Sequence, residues 1–295
     1  MILLAGGEAD PNMTCLQHAV ARRGAPHLVA LTGKHRIPRI AWSLADGSLL
    51  LDGCAIRPAA VFVRFDVFAE LGGEPQGRER AANWYYALLS WALARPEVTL
   101  PNRAFGTSHL AKPCVLELAR RAGLTVPETW ITNDPALLDG LDADAWILKP
   151  VNGGAYTQTL RGACRDPSRL TRFTAEPTLL QARLVAPDLR IFRIGARWFA
   201  FELHSNSIDY RTQRDVRITA VAPESALTAP LGQLMDGLGL DFGAADFKRL
   251  PKGESYAFLE VNSAPMFAAF DRQVSGALSD AIIAWLSHRV SSASR

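Results

Sequence analysis

Phe258-Leu259-Glu260-Val261-Asn262, with Asp246-Phe247-Lys248 a short hairpin upstream, is the stretch whose reading decides the fold. Its apolar and β-branched residues, following the turn signal Pro251-Lys252-Gly253-Glu254, predict a strand. Side chains alternate faces along a strand, so Glu260 and Asn262 point the same way, one pleat apart. The same parity puts Tyr256 and Phe258 on that face, giving a strand that begins apolar and ends in two oxygen donors. Asp246 is close enough to face them from a neighbouring strand. Two carboxylates and a neutral carboxamide are hard oxygen ligands of the kind Mg²⁺ takes, with water and substrate phosphate completing its octahedron. A polar strand end rimmed with solvated acids is the alternative. Both stay open on these residues alone.

The surrounding chain of 295 residues is long enough for one large or two to three small α/β units with a real core. Apolar residues at 48% and charged residues at 21% are ordinary globular values and argue against extensive disorder. A net charge of +3 without a lysine-rich tract gives no sign of a nucleic-acid partner. Cys15, Cys54, Cys114 and Cys164 are far apart and lack CxxC spacing, so they are expected as buried or neutral thiols of a cytosolic protein. The opening Met1-Ile2-Leu3-Leu4-Ala5-Gly6-Gly7-Glu8 has no basic segment and reads as a first strand, not a signal peptide. No apolar run reaches membrane-spanning length. A cytoplasmic protein is expected.

Strand and helix signals alternate over the first hundred residues. Ile2–Ala5, His27–Leu31 and Ala60–Arg64 read as strands, Met13–Arg23 as a helix closed by Gly24, and Glu79–Arg95 as a long helix ended by Pro96. This is a doubly wound α/β pattern. A helix over about 108–121 follows, its proper start near Lys112 because Pro113 suits a first turn. Thr129–Thr132 and Trp146–Lys149 read as strands. From Thr178 the period is two: Leu179–Arg183, then Leu189–Ile194 and Trp198–Leu203 around Gly195. A helix over Leu227–Leu238, the Asp246 and Glu260 strands and a closing helix over Ser279–Arg289 complete an α+β part.

Other residues carry candidate chemistry, each with a plainer reading beside it. Lys149 ends a strand just before Asn152-Gly153-Gly154, where backbone N–H groups can approach phosphate; a solvated hairpin turn is the alternative. Lys112 is a second phosphate or adenine contact, or an exposed helix lysine. Gln181-Ala182-Arg183-Leu184 runs from strand to loop and offers backbone N–H and C=O groups to a purine edge. Asp188 and Arg190 suit a ribose hydroxyl and a phosphate, or form a hairpin-end salt bridge. Asp209-Tyr210-Arg211, with Arg214 and Arg217, is an anion site or a solvated cluster. The histidines show no zinc spacing and support no Ser-His-Asp triad.

In order, these pieces resemble the ATP-grasp superfamily of carboxylate ligases, nearest the graspetide (microviridin-type) synthetases that cyclise ribosomal peptides, then the RimK-type glutamate ligases. Gly123-Leu124-Thr125-Val126-Pro127-Glu128-Thr129-Trp130-Ile131-Thr132-Asn133-Asp134 looks like the family's GL-x-P-x-T-x-ITND stretch. Asp209-Tyr210-Arg211 is similar to DWR, Leu238–Phe247 to LGL-x-FGAIDF, and Phe258–Asn262 to FLEIN. The resemblance covers roughly residues 100 to 290. It implies a Rossmann-like N-terminal domain over 1–100, a central subdomain with the glycine loop over 101–178 and a C-terminal subdomain with the magnesium site over 179–295, the nucleotide lying between the last two. It implies ATP and Mg²⁺ as cofactors. Lys112, Lys149, Gly153 and Gly154 would contact the nucleotide, Gln181, Ala182, Arg183 and Leu184 would form the adenine hinge, and Asp188 would sit near the ribose. Arg190 and Arg211 would neutralise the phosphoryl group, and Asp246, Glu260 and Asn262 would hold the metal.

The activity implied is conversion of a carboxylate to an acyl phosphate, then attack by an amine or hydroxyl on it, with a ribosomal peptide side chain as substrate and a homodimer or larger homo-oligomer as the assembly. Addition of an amino acid to a peptide or small molecule, phosphoryl transfer alone, and nucleotide binding without turnover are the rival readings. Two positions depart from the pattern. After Asn262 the chain reads Ser263-Ala264-Pro265-Met266-Phe267, nearer the NSSPG of glutamate ligases than the graspetide PNGQW, and Ala182 stands where an acidic hinge residue is usual.

Overall fold

A computed structural model describes residues 1–33, 37–71, 76–105, 111–151, 158–165, 171, 173–205, 216–251, 253 and 255–292. The chain forms two units, Met1–Arg103 with Ala264–Arg295, and Ala104–Ser263. The sequence boundaries place the last segment with 179–263; it groups instead with the first hundred residues.

In the first unit, β1 (Ile2–Gly7) leads to α1 (Pro11–Arg22), where the Asp10 carboxylate caps the helix by accepting from the Asn12 N–H and Pro11 fills the first turn. β2 (His27–Thr32) follows, then a meander of β3 (Ile40–Trp42), β4 (Leu49–Leu51) and β5 (Cys54–Ile56), then β6 (Ala60–Val63). β1, β2 and β6 are parallel in the order β2-β1-β6. The chain continues through α2 (Val67–Leu71) and α3 (Gly77–Leu93). Leu3, Ala5, Ala30, Val61, Leu88, Trp91 and Val98 form this unit's core, with Leu49 of the meander packed in.

The second unit begins with α4 (Lys112–Arg121) and β7 (Thr129–Thr132), and a 3₁₀ turn over Pro135–Leu138 fills the acidic connection. β8 (Trp146–Pro150), β9 (Gln158–Thr159), α5 (Leu160–Cys164) and β10 (Thr178–Ala182) follow. Next come β11 (Val185–Ile194), β12 (Arg197–His204), β13 (Arg217–Val221), α6 (Ser225–Gly237), β14 (Phe242–Arg249) and β15 (Tyr256–Asn262). Among the described residues these strands form two antiparallel sheets, ordered β7-β10-β8-β9 and β13-β12-β11-β14-β15. The predicted boundary at 178/179 therefore runs through β10, which pairs with β7 and β8. One face of the five-stranded sheet is covered by apolar side chains of α4 and α6: Val115, Leu116, Leu231, Leu234 and Met235 meet Ile191, Ala245, Phe247 and Phe258. Burial at this scale, about 25 cal/mol per Å² of apolar surface, fixes which way the strands face.

The chain returns to the first unit with α7 (Ala268–Gln273) and α8 (Ala277–Ser292), the latter packing on α1. Buried polar side chains hold this return. Arg64 donates from Nε to Asp10 at 2.6 Å and from Nη1 to the carbonyls of Ala264 and Pro265. The Asn12 Oδ1 accepts from the N–H groups of Phe267 and Ala268 at 2.7 and 2.8 Å, satisfying donors that open α7. Asn12→Ala is expected to lower the unfolding free energy by about 2 kcal/mol, because both buried donors lose their acceptor; a urea melt measures it, and an unchanged midpoint would show the clamp to be dispensable.

Among the described residues no helix is long and apolar enough to cross a membrane. Cys54, Cys114 and Cys164 are exposed and Cys15 is half-buried, so of the expected buried or neutral thiols the buried alternative does not hold.

Candidate active site

β11 lies in the middle of the five-stranded sheet, and β14 is its neighbour on the side away from β12. Their register sets Asp188 opposite Lys248 and Arg190 opposite Asp246. Across the next pair, Asp246 stands opposite Glu260 and Ala244 opposite Asn262. Asp246, Glu260 and Asn262 thus share one face, as expected from sequence.

The other half of that expectation is corrected. Between Asp246 and Phe247 the register shifts, so that Phe247 pairs with Phe258 and Leu259 is an extra residue in β15. Such a bulge inverts the alternation downstream. Phe258 and Val261, three residues apart, both enter the apolar core, and Tyr256 joins them. Glu260 and Asn262 consequently face away from Tyr256 and Phe258. Burial raises the Tyr256 pKa, and the hydroxyl's hydrogen bond to Glu202 pushes the same way.

On the polar face, charges alternate between the two strands. Arg190 grips Asp246 with both arms, Nε to Oδ1 at 2.6 Å and Nη2 to Oδ2 at 2.7 Å, the two side chains being 10% and 14% exposed. Lys248 Nζ meets Asp188 Oδ2 at 2.7 Å, equally deep. Lys112, at the start of α4, reaches Glu260 at 2.9 Å with a third of each side chain exposed. The Asn262 Nδ2 lies 3.4 Å from Asp246 Oδ2. A buried quartet of this kind contributes little net stability relative to apolar residues of the same size.

The second candidate group lies on the four-stranded sheet. Lys149 of β8 donates from Nζ to Oε1 of Gln181 at 3.0 Å, and the Gln181 Nε2 donates to Thr129 Oγ1 of β7 at 2.9 Å. Gln181 is buried, so its carboxamide fixes the lysine head from the neighbouring strand β10. The hinge N–H groups are less available than expected. Ala182 N–H donates to Glu128 and Arg183 N–H to Ala145, so neither is free for a purine edge.

Gly153, Gly154 and Arg211, with Asp209, Tyr210 and Arg214, lie outside the described residues. Arg217 opens β13. Among the described residues no three His, Cys, Asp or Glu side chains gather; the candidate metal set is two carboxylates and a carboxamide. Its hard oxygens converge on one face, and that donor chemistry fits magnesium. Sequence reasoning missed Lys248, although its place two residues after Asp246 puts it on the same face of the strand.

Neither a protein-family model nor a curated relative matches the sequence. Solved structures do. The fold superposes on the ATP-grasp ligase PsnB, solved with a minimal precursor, Mg and ADP, with a TM-score of 0.73 at 28% identity over 97% of each chain. The chain has the ATP-grasp fold of an ATP-dependent ligase. Macrocyclase MdnC from Microcystis aeruginosa MRC, bound with precursor peptide MdnA, has the same fold at a TM-score of 0.72 and 18% identity, over 98% of this chain and 99% of that one. The D-Ala:D-Ser ligase VanG of Enterococcus faecalis shares it more distantly, with a TM-score of 0.58 and 13% identity over 98% of both chains. The ligase fold places the two candidate groups on the two sheets of one unit, residues 104–263.

Proposed function

We propose that this ligase uses ATP and magnesium to join a side-chain carboxylate of a ribosomally made precursor peptide to an amine or hydroxyl, giving an amide or an ester. The observation that carries the reading is the convergence of Asp246, Glu260 and Asn262 with Arg190 on one face, in a chain that matches PsnB over 97% of both lengths. Two further relatives by fold were solved with peptide precursors: MdnC, and a RiPP-associated ATP-grasp ligase of Chryseobacterium gregarium with ADP and leader and core peptides.

A carboxylate is a poor electrophile because oxide would have to leave. Attack of its oxygen on the γ-phosphorus of ATP expels ADP and forms an acyl phosphate, whose leaving group is phosphate. The incoming nitrogen or oxygen then attacks the carbonyl carbon, phosphate departs, and the nucleophile's proton is lost. Asp246, Glu260 and Asn262 would hold magnesium, which when bound offsets charge on the phosphate oxygens. Arg190 and Arg211 supply fixed positive charge to the phosphoryl group. Arg190 needs no reorganisation to do so, since Asp246 already orients its fork. Lys112 and Lys149 hold the phosphates, the latter aimed by Gln181, and Gly153 and Gly154 cover them and exclude water. Asp188, paired with Lys248, binds the ribose. With the N–H groups of Ala182 and Arg183 committed, a purine contact falls on the carbonyls of the hinge and on Leu184.

The reading puts the enzyme in the cytoplasm, where ribosomal products are made, as a homodimer or larger homo-oligomer, which light scattering decides. The test of function is ADP release with and without candidate precursor peptides, taken from any short reading frames beside the gene. Release that depends on the peptide, and a product lighter by one water per bond formed, is the expected outcome. Release without any peptide dependence would sink it. The run Ser263-Ala264-Pro265-Met266-Phe267 favours a second reading, addition of an amino acid, and there the peptide gains mass.

A further inference from the structure

The first unit contains a pocket at the carboxyl ends of its parallel strands. Gly6, Thr32 and Arg64, which end or follow β1, β2 and β6, line it together with Asp66 and, from α3, Trp84 and Tyr85. The chain passes from β1 to β2 on one side and returns to β6 on the other, so this is the sheet's topological switch point, where open α/β sheets bind ligands.

The polar groups in the pocket differ in what they have left to offer. Arg64 is committed to Asp10, to the carbonyls of Ala264 and Pro265, and to the Met266 sulfur. The Thr32 hydroxyl donates to the Gly6 carbonyl and keeps its lone pairs. Asp66 uses Oδ1 to accept from Phe68 and Ala69 N–H at the start of α2. Its Oδ2 takes no hydrogen bond among the described residues, although the side chain is only 7% exposed. The carboxylate lies flat on Gly7, where an added Cβ would stand 2.2 Å from its Cγ. Burial raises the Asp66 pKa, against the pull of the Ala69 and Phe68 N–H groups; Asp10 adds to the rise and Arg80 opposes it. Asp10 is bound to Arg64, and Asp66 is the carboxylate that lines the pocket.

Trp84 and Tyr85 are the aromatic part of the lining. Tyr85 packs edge-on against Phe65 at 5.9 Å and against the exposed Tyr86 at 5.3 Å. Rings suit an aliphatic stem and attract a cation over their faces. A guanidinium needs more acceptors than one carboxylate oxygen and one hydroxyl provide, and a neutral hydroxyl forgoes the charge.

We propose that this pocket receives the ammonium of a lysine side chain presented by the peptide substrate. The proposal deepens the peptide-ligase reading and rests on it for the source of the lysine. The probes are Nα-acetyl-lysine methylamide and its norleucine isostere, titrated into the full chain and followed by NMR chemical shifts. The lysine probe is expected to bind at least about tenfold tighter than the isostere. Asp66→Asn, which keeps an oxygen to cap α2 and so keeps the fold, should bring the two affinities together. Tyr85→Leu leaves the carboxylate in place and should weaken the lysine probe more than the isostere. Equal binding of both probes by the unmodified protein, no binding, or a lysine preference that survives Asp66→Asn overturns the proposal. Glu260→Gln separates this idea from the ligase reading: it should abolish peptide-dependent ADP release yet leave the lysine preference untouched. A lysine preference without any peptide-dependent turnover would defeat the function alone, and turnover without the preference would defeat the pocket alone.

Discussion

Asp246→Ala and Glu260→Gln each abolish ADP release, by about 10³-fold or more, yet they differ in what they do to stability. The activity loss follows from the donor set. Each change removes one hard oxygen charge from a site asked to contribute several kcal/mol of phosphoryl-charge stabilisation, and about 4 kcal/mol corresponds to 10³ in rate. The stability difference follows from depth. Asp246 is bound by both arms of Arg190 with both side chains almost fully buried, so its removal strands a guanidinium at a cost of about 3–5 kcal/mol. Glu260 pairs with Lys112 where a third of each side chain meets solvent, and an exposed pair contributes about 0–1 kcal/mol. At about 2–4 °C per kcal/mol for a unit of this size, Asp246→Ala should melt about 10 °C lower and Glu260→Gln almost unchanged. Asp246→Asn keeps an acceptor for Arg190 and should recover much of the melting temperature without recovering turnover. ADP release and thermal melts on the three variants decide the matter. Wild-type turnover in either Asp246→Ala or Glu260→Gln would sink the metal assignment, and equal melting losses would sink the depth argument.

The long, strongly periodic elements were legible because their signals are local. The helix expected to start near Lys112 does start there, since Pro113 fits a first turn. The helix expected over Leu227–Leu238 runs from Ser225 to Gly237, and strands do carry Asp246 and Glu260. What was missed is short or depends on distant partners. The meander over residues 40–56 has strands of three residues, below the length at which a period can be read, yet its Asp52-Gly53 turn was a usable hint. Both residues have positive φ and join Leu51 to the paired Cys54, the two-residue loop of a tight hairpin. The return of residues 264–295 to the first unit has no local signal at all. It is held by Asn12 and Arg64, more than 190 positions away in sequence.

The candidate site was legible as residue types and illegible as pairings. Strand parity brought Asp246, Glu260 and Asn262 to one face, and parity failed one residue earlier because the extra Leu259 is visible only when β15 is laid against β14. Lys149 and Gln181 were both singled out, but as a phosphate contact and a backbone hinge. That the Gln181 side chain aims the lysine requires the antiparallel register of β10 with β8. The same holds for Asp188 and Arg190, which read as neighbours in one strand and are in fact each bound across to β14.

Arg190→Lys should cost about 10²–10³ in turnover while leaving the fold nearly as stable as before. A lysine keeps the positive charge and can reach one Asp246 oxygen, so the buried carboxylate still has a counter-charge and most of the penalty for an orphaned charge is avoided. What it cannot keep is the planar fork. Arg190 sits on the central strand of its sheet with Nε and Nη2 both bound to Asp246, which fixes the plane of the guanidinium and hence the direction of its positive fork. A flexible ammonium offers a charge in no fixed direction. Catalysis by a fixed dipole depends on that direction, and removal of one oriented donor typically costs this much. Arg190→Met then serves as the contrast: it should lose activity at least as fully and also lose about 3–5 kcal/mol of stability, because Asp246 is left buried and unpaired. Single-turnover ADP release and thermal melts on the two variants separate the roles. If Arg190→Lys turned over like the unmodified enzyme, Arg190 would be a counter-charge for Asp246 and nothing more; if it lost activity only in step with stability, the geometry of the fork would not matter. The expected result is a lysine variant that folds, binds nucleotide and does not react.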